Sequence, residues 1–314
     1  MHDASALAEL QVEGFADAQR DNIAWMRRHR LLVTEAEVRQ YGRWSMASLI
    51  QHSFPGADRE ERSLLVDVLG WFTVVDDHFD GPIGHSTAQA RDLVDALLAV
   101  PGARPPSSPP PSRMTAAWAE LWDRQVAAMS PAWRERAERD WATCLETFVT
   151  ETSHRSSRLS PSVQEADLLR RHGSCLYPFM NLLERVTGRE LPPALYDDVA
   201  FRRLRAHTAD IATYINDLYS LDREVELGTP FNTVLIMQRV HGYDREGAAQ
   251  FVRERVRRLS EESSLLRSRI GARHPVARPY LDGLKSMLDG VRLWTSNTAR
   301  YRETAEAEPA EAVR

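Results

Sequence analysis

The sequence predicts an all-α fold, a single-domain helical bundle around an apolar interior. Three observations predict it. Apolar positions recur at helical spacing nearly throughout the 314 residues, and strand-like alternation is scarce. The Gly 15 and Pro 17 are spread thinly rather than clustered between short strands. The stretch 63–80 carries Leu64, Leu65, Val66, Val68, Leu69, Trp71, Phe72, Val74 and Val75 around its whole circumference, so that helix belongs at the centre.

The other elements follow in order. Gly81-Pro82 stops the central helix, and a short helix closes at 93–100. Residues 101–112 (PGARPPSSPPPS) are too rich in proline for regular structure and read as a stiff exposed loop between bundle helices. The segment 133–158 is an amphipathic helix with a charged outer face. Residues 166–187 are helical, but Gly173 and Pro178 lie inside them, so a break is expected at 174–177. A break frees backbone carbonyls inside the bundle, and these must face something polar. Residues 196–226 form one long helix, stopped by Gly228-Thr229-Pro230, with Asp197-Asp198 as its N-terminal cap. A charged surface helix spans 244–271, and the last helix spans 276–302. The chain is expected to be one domain over 1–314, with flexible ends at 1–20 and 303–314.

Composition narrows the function. Hydrophobic residues at 43% and charged residues at 27% suit a globular protein with a large core. A net charge of −5 leaves no basic footprint for nucleic acid. No run of apolar residues is long enough to span a membrane, and the N-terminus lacks the basic start and apolar run of a signal peptide, so a cytoplasmic location is expected. The two cysteines, Cys144 and Cys175, are too few for a disulfide framework and read as small buried hydrophobes.

Two clusters carry the chemistry. Asp76, Asp77 and Asp80 share one face at the end of the central helix, because positions three and four apart are neighbours. Three carboxylates side by side repel unless a cation intervenes, and Mg2+ takes carboxylate and water oxygens and bridges to phosphates. The plainer alternative is a solvated acidic helix end. Asn216, Ser220 and Glu224 stand four apart, within one narrow stripe of the long helix, and offer an amide, a hydroxyl and a carboxylate to a second hard cation. Arg223 is either a phosphate contact or a helix salt bridge. Arg170-Arg171 precede the expected break, and Arg300-Tyr301 lie near the end of the last helix. An arginine fork suits phosphate oxygens. His78 lies off the aspartate stripe and is not expected to bind metal. Aromatic candidates for a cavity wall are Phe54, Trp71, Phe72, Phe79, Tyr177, Phe179, Tyr214 and Trp294, with Phe72, Phe79 and Trp294 preferred.

With these residues in this order, the chain resembles the bacterial class I terpene synthases, and more closely the sesquiterpene cyclases. The resemblance rests on the aspartate motif at 76–80, Asn-Asp-x-x-Ser-x-x-x-Glu at 216–224, Arg170 upstream of it and the terminal Arg-Tyr pair, and covers roughly residues 25–301. It implies the class I terpenoid synthase fold, with a deep apolar central cavity and three Mg2+ ions at its mouth. By that match Asp76 is the main aspartate ligand, and Asp77 and Asp80 support it. Asn216, Ser220 and Glu224 hold a further ion. Arg170 senses diphosphate, with Arg171 as a neighbouring alternative. Arg223, Arg300 and Tyr301 bind diphosphate oxygens, and the Ser174 carbonyl faces the allylic cation. Arg223 departs from the lysine often found there.

The activity implied is Mg2+-dependent ionisation and cyclisation of an isoprenoid diphosphate, farnesyl diphosphate first and geranylgeranyl diphosphate as the alternative. A chain-elongating prenyl diphosphate synthase would share the bundle, but should carry a second aspartate-rich motif where this chain has Asn216, Ser220 and Glu224. A non-catalytic helical binding protein would show no thermal response to Mg2+ and diphosphate. A homodimer is left open.

Overall fold

The chain forms helices because caps and apolar stripes agree about where each begins and which side it buries. In the computed structural model, which describes residues 3–101 and 112–301, no strand occurs among the described residues. The helices are α1 (Asp3–Arg28), α2 (Glu35–Trp44), α3 (Met46–Ser53), α4 (Arg59–Asp80), α5 (Thr87–Leu98), α6 (Arg113–Val126) and α7 (Pro131–Ser157). There follow α8 (Val163–Gly173), α9 (Leu176–Val186), α10 (Pro193–Asp197), α11 (Val199–Glu226), α12 (Thr233–His241), α13 (Arg245–Arg273) and α14 (Arg278–Asn297). Most of the proline-rich stretch expected as a loop, and the expected flexible tail at 303–314, lie outside the described residues.

Helix α4 is central, as its composition requires. Leu65, Val66, Val68, Trp71 and Val75 have no exposed surface. Burying each such side chain contributes roughly 1.5–3 kcal/mol. Asp58 caps its start by accepting the Glu61 N–H at 2.9 Å. Trp71 stacks on Trp118 at 4.5 Å, and Trp141 closes edge-on against both. This tryptophan cluster holds α4 against α6 and α7. Helix α11 packs against α13, α14 and α8, and α14 lies along α3.

The interruption expected at 174–177 is present and narrower. Helix α8 ends at Gly173, and Cys175 takes a left-handed backbone (φ 52°) before α9 begins. Such a backbone costs a non-glycine residue on the order of 1–3 kcal/mol, so the surroundings must enforce it. Pro178 does not itself break a helix. It sits in the first turn of α9, where N–H groups have no helical partner in any case. Its missing N–H has a consequence one turn back. The Ser174 carbonyl, four residues earlier, accepts none of the described backbone bonds outside the helices.

Two expected boundaries move. The helix expected at 196–226 is two elements, because Asp198 leaves the helical backbone (ψ 124°) to cap α11 by accepting the Phe201 N–H at 2.9 Å. The last helix stops at Asn297, and Arg300 and Tyr301 belong to a separate 3-10 turn, Ala299–Tyr301. Among the described residues, no helix is long and apolar enough to cross a membrane.

Candidate active site

The end of α4, the C-terminal third of α11 and the terminal 3-10 turn converge on one opening. Asp76, Asp77 and Asp80 each bring one carboxylate oxygen into a group whose members lie within 4.8 Å of one another. Like charges this close need counter-charge. Arg300 donates to Asp77 at 2.6 and 3.1 Å and stands 3.6 Å from Asp76. Arg223 reaches across from α11 and donates to Asp77 and Asp80, each at 3.0 Å. Arg155 of α7 lies 3.9 Å from Asp80. Asp76 accepts no hydrogen bond among the described residues. It is walled in by the bundle yet opens onto the cavity, and burial, then the charges of Asp80 and Asp77, push its pKa up to about 7.

The opposite wall is α11. Ser220 Oγ donates to Glu224 Oε1 at 2.7 Å, and Asn216 Nδ2 donates to the Tyr301 hydroxyl at 2.6 Å. Arg170, at the end of α8, donates to Asn216 Oδ1 at 3.1 Å, pairs with Asp217 and stands 3.7 Å from Glu224. Asp217 is fully buried, and its other oxygen accepts the Thr233 N–H at 2.8 Å, which ties the arginine to the start of α12. Burial pushes the Glu224 pKa up, against the pull of Arg170. Glu224 Oε2 and Arg170 Nε are both buried with no hydrogen-bond partner among the described residues. An acceptor and a donor left over in one cleft are the mark of a site that completes itself with a ligand.

Beneath this rim lies a cavity of about 230 Å3 whose lower walls are Leu49, Ile50, Leu69, Phe72, Phe148, Phe179, Met287 and Val291. Hydroxyls on its wall are turned back on their own helices. Thr73 donates to the Leu69 carbonyl at 2.9 Å, Thr213 to Ala209 at 2.8 Å and Thr295 to Val291 at 2.8 Å, so each leaves its methyl for the interior. Ser174 also lines the cavity, at the helix break.

The residues singled out in the sequence therefore meet. Asp76, Arg170, Ser174, Asn216, Ser220, Arg223, Glu224, Arg300 and Tyr301 line one cavity with Phe72 and Trp294, while Asp77 and Asp80 stand at its rim. Arg171 turns away and pairs with Asp210 at 2.6 and 2.9 Å, outside the cavity. Phe79 is a correction, because it does not line the cavity. It follows Asp76 along α4 instead of lying below it, and stacks on Phe148 with ring centres 4.4 Å apart. Trp71, Tyr177 and Tyr214 are also absent from the lining, whereas Phe54 and Phe179 belong to it.

Sequence reasoning missed four residues here. Asp217 sits inside the quoted motif and could have been noticed as the buried neighbour of Asn216. Glu151 lines the cavity, and its pKa is raised by burial to about 7 against the pull of Arg155 and Arg170. Arg155 has a buried Nε with no hydrogen-bond partner among the described residues. Trp44 lies under Arg300, whose guanidinium is 4.4 Å from the ring centre, and the Trp44 carbonyl accepts from Trp294 Nε1 at 2.7 Å and from Thr298 Oγ1 at 3.0 Å. These contacts latch the terminal turn over the mouth. No spacing in the sequence signals the last three.

Comparison with known proteins agrees with this geometry. The family model described as terpene synthase family 2, C-terminal metal binding, matches residues 67–262. The chain is 29% identical over 301 residues to pentalenene synthase of Streptomyces avermitilis, covering 91% of this chain and 88% of the relative. It is 30% identical over 294 residues to a (-)-beta-caryophyllene synthase of Saccharothrix espanaensis described as (2E,6E)-farnesyl diphosphate cyclizing, covering 89% and 82%. The crystal structure of germacradien-4-ol synthase from Streptomyces citricolor superposes with a TM-score of 0.81 at 26% identity, covering 91% of this chain and 94% of that one. An aspartate trio that could hold a divalent cation, a facing oxygen stripe and a matched family model over more than half the chain lead to one conclusion: this chain belongs to terpene synthase family 2 and is a terpene synthase with a class I bundle.

Proposed function

We propose that the protein catalyses Mg2+-dependent ionisation of farnesyl diphosphate and cyclisation of the resulting cation to a C15 terpene. One observation carries the reading. The acidic trio on α4 and the Asn216, Ser220 and Glu224 stripe on α11 face each other over one cavity, linked by Arg223 and by the terminal turn, where Arg300 meets Asp77 and Tyr301 meets Asn216.

The donor set suits the metal. Carboxylate, amide and hydroxyl oxygens are hard ligands, and Glu224 Oε2 accepts no hydrogen bond among the described residues. Asp76, with Asp77 and Asp80 in support, would hold Mg2+ on one side, and Asn216, Ser220 and Glu224 on the other, with three ions expected in all. Bound there, Mg2+ would supply charge to the diphosphate oxygens as the allylic bond breaks. The chain's own residues do the rest. Arg170, Arg223, Arg300 and the Tyr301 hydroxyl donate hydrogen bonds to the leaving diphosphate and hold it at the rim. Phe72 and Trp294 present aromatic faces to the cation, worth roughly 0.5–2 kcal/mol each. The Ser174 carbonyl, without a helical donor, points partial negative charge at the helix break. Threonines bonded to their own helices withhold their hydroxyls from the cation.

The farnesyl chain length is supported by the caryophyllene-forming relative, described as farnesyl diphosphate cyclizing. Incubation with geranyl, farnesyl and geranylgeranyl diphosphates, each with Mg2+ and with EDTA, tests the proposal. Metal-dependent pyrophosphate release and a cyclic C15 product from farnesyl diphosphate are expected. Preference for the C20 substrate, or a longer diphosphate formed only with isopentenyl diphosphate, contradicts it.

A further inference from the structure

We infer that Ser53 anchors a water molecule deep in the cavity, and that the reaction ends with that water captured by the terpenyl cation to give an alcohol. The inference rests on the proposed cyclase reading and adds the fate of its cation.

The cavity wall treats its hydroxyls in two ways. Thr73, Thr213, Thr295 and Ser174 spend theirs on carbonyls of their own chain segments. Ser53 lines the same cavity, is 4% exposed, and makes no side-chain hydrogen bond among the described residues. A serine hydroxyl can donate once and accept twice, and left bare in an interior it costs free energy. Water is the natural completion, provided that two or more polar groups meet it. A second polar group stands on the same residue: Ser53 closes α3, and its own carbonyl accepts no backbone N–H among the described bonds. A helix C-terminus also favours positive charge nearby.

Position favours the far end of the substrate. Ser53 packs on Gly290 of α14 so closely that a Cβ there would lie 2.2 Å from Ser53 Oγ. Gly290 is four residues before Trp294, hence about 6 Å further from the mouth along the helix. Phe54, the next residue, faces Phe179 with ring centres 6.1 Å apart. Ser53 is thus set below the rim, where the distal part of a folded chain would lie after its diphosphate has left at the top. In the step itself, water oxygen gives an electron pair to the cationic carbon and one C–O bond forms. The oxonium then loses one proton, which the released diphosphate accepts. No oxidant or reductant is needed.

The test is product analysis of the intact protein with Mg2+ and farnesyl diphosphate in 18O-labelled water. The wild type should yield a labelled terpene alcohol. In Ser53→Ala the alcohol-to-hydrocarbon ratio should fall at least about fivefold, the worth of one lost hydrogen bond, with pyrophosphate release maintained. Ser53→Gly removes the hydroxyl without adding bulk against Gly290, and carries the same expectation should Ser53→Ala lose its fold. An unlabelled or purely hydrocarbon wild-type product, or an unchanged ratio in a folded variant, overturns the inference while the cyclase reading stands. Absence of pyrophosphate release from the wild type overturns the cyclase reading instead.

Discussion

Replacing either of two adjacent arginines, Arg170 and Arg171, should produce opposite kinds of damage. Arg171 is a stability residue. It donates to Asp210 at 2.6 and 2.9 Å, with side chains 25% and 9% exposed. Removing one partner of a fully buried pair costs about 3–5 kcal/mol, but water can reach this pair from the arginine side, so about 1–3 kcal/mol is expected. For a chain of this size that lowers Tm by roughly 1.5–5 °C. Pyrophosphate release by folded Arg171→Ala protein should stay near wild type, because Asp210 lies outside the cavity lining. Arg170 is different. It touches Asn216 and Asp217, approaches Glu224, and keeps a buried Nε in reserve. Loss of one donor aimed at a developing anion typically costs about 10²–10³ in kcat, and Arg170→Ala should lose at least that. Thermal melts and a coupled pyrophosphate assay on the two variants decide the matter. Equal kinetic losses, or a larger loss in Arg171→Ala, would refute the assignment of Arg170 as the diphosphate-binding arginine.

Further outcomes follow from the same geometry. Asp76→Ala should keep its fold, since the side chain opens onto the cavity without a hydrogen bond, yet lose pyrophosphate release by at least about 10²-fold; wild-type turnover would remove Asp76 from the metal role. Gly290→Ala should destabilise by about 1–3 kcal/mol, because its Cβ would meet the Ser53 backbone N at 2.6 Å, and a chemical melt with unchanged midpoint would contradict the close approach of α3 and α14. Asp76 and Glu151 both carry pKa values raised to about 7. A carboxyl whose folded pKa lies above its unfolded value contributes stability at low pH and loses it as pH rises through the folded value. The metal-free protein should therefore lose Tm as pH climbs from about 5 to about 8. The proposed site would take Mg2+ with inorganic pyrophosphate in its deprotonated form, so the Tm gain on adding both should be larger at about pH 8 than at about pH 6. A gain that shrinks with rising pH contradicts a carboxylate metal site.

The fold was legible where local rules decide it. The apolar run of α4, the break before Pro178 and the Asp198 cap all follow from residues within a turn or two of one another. The candidate site was legible to the same extent, because helical spacing alone puts Asp76 beside Asp80 and aligns Asn216, Ser220 and Glu224. Tertiary pairing decided the rest. Arg223 could have bonded its own helix, and it reaches across to Asp77 and Asp80 instead. Glu151, Arg155 and Trp44 enter the site from α7 and α2, whose positions no linear spacing encodes. Phe79 was misplaced because it follows Asp76 along α4 instead of lying a turn below it, and it packs behind the wall on Phe148.

A crystal structure with Mg2+ and inorganic pyrophosphate tests the central claim most directly. Metal density touching Asp76 on one side and Asn216, Ser220 and Glu224 on the other, with Arg170, Arg223 and Arg300 turned onto the pyrophosphate, is the predicted result. Pyrophosphate bound elsewhere, with Arg223 and Arg300 still on the aspartates and no metal between the helices, would contradict it.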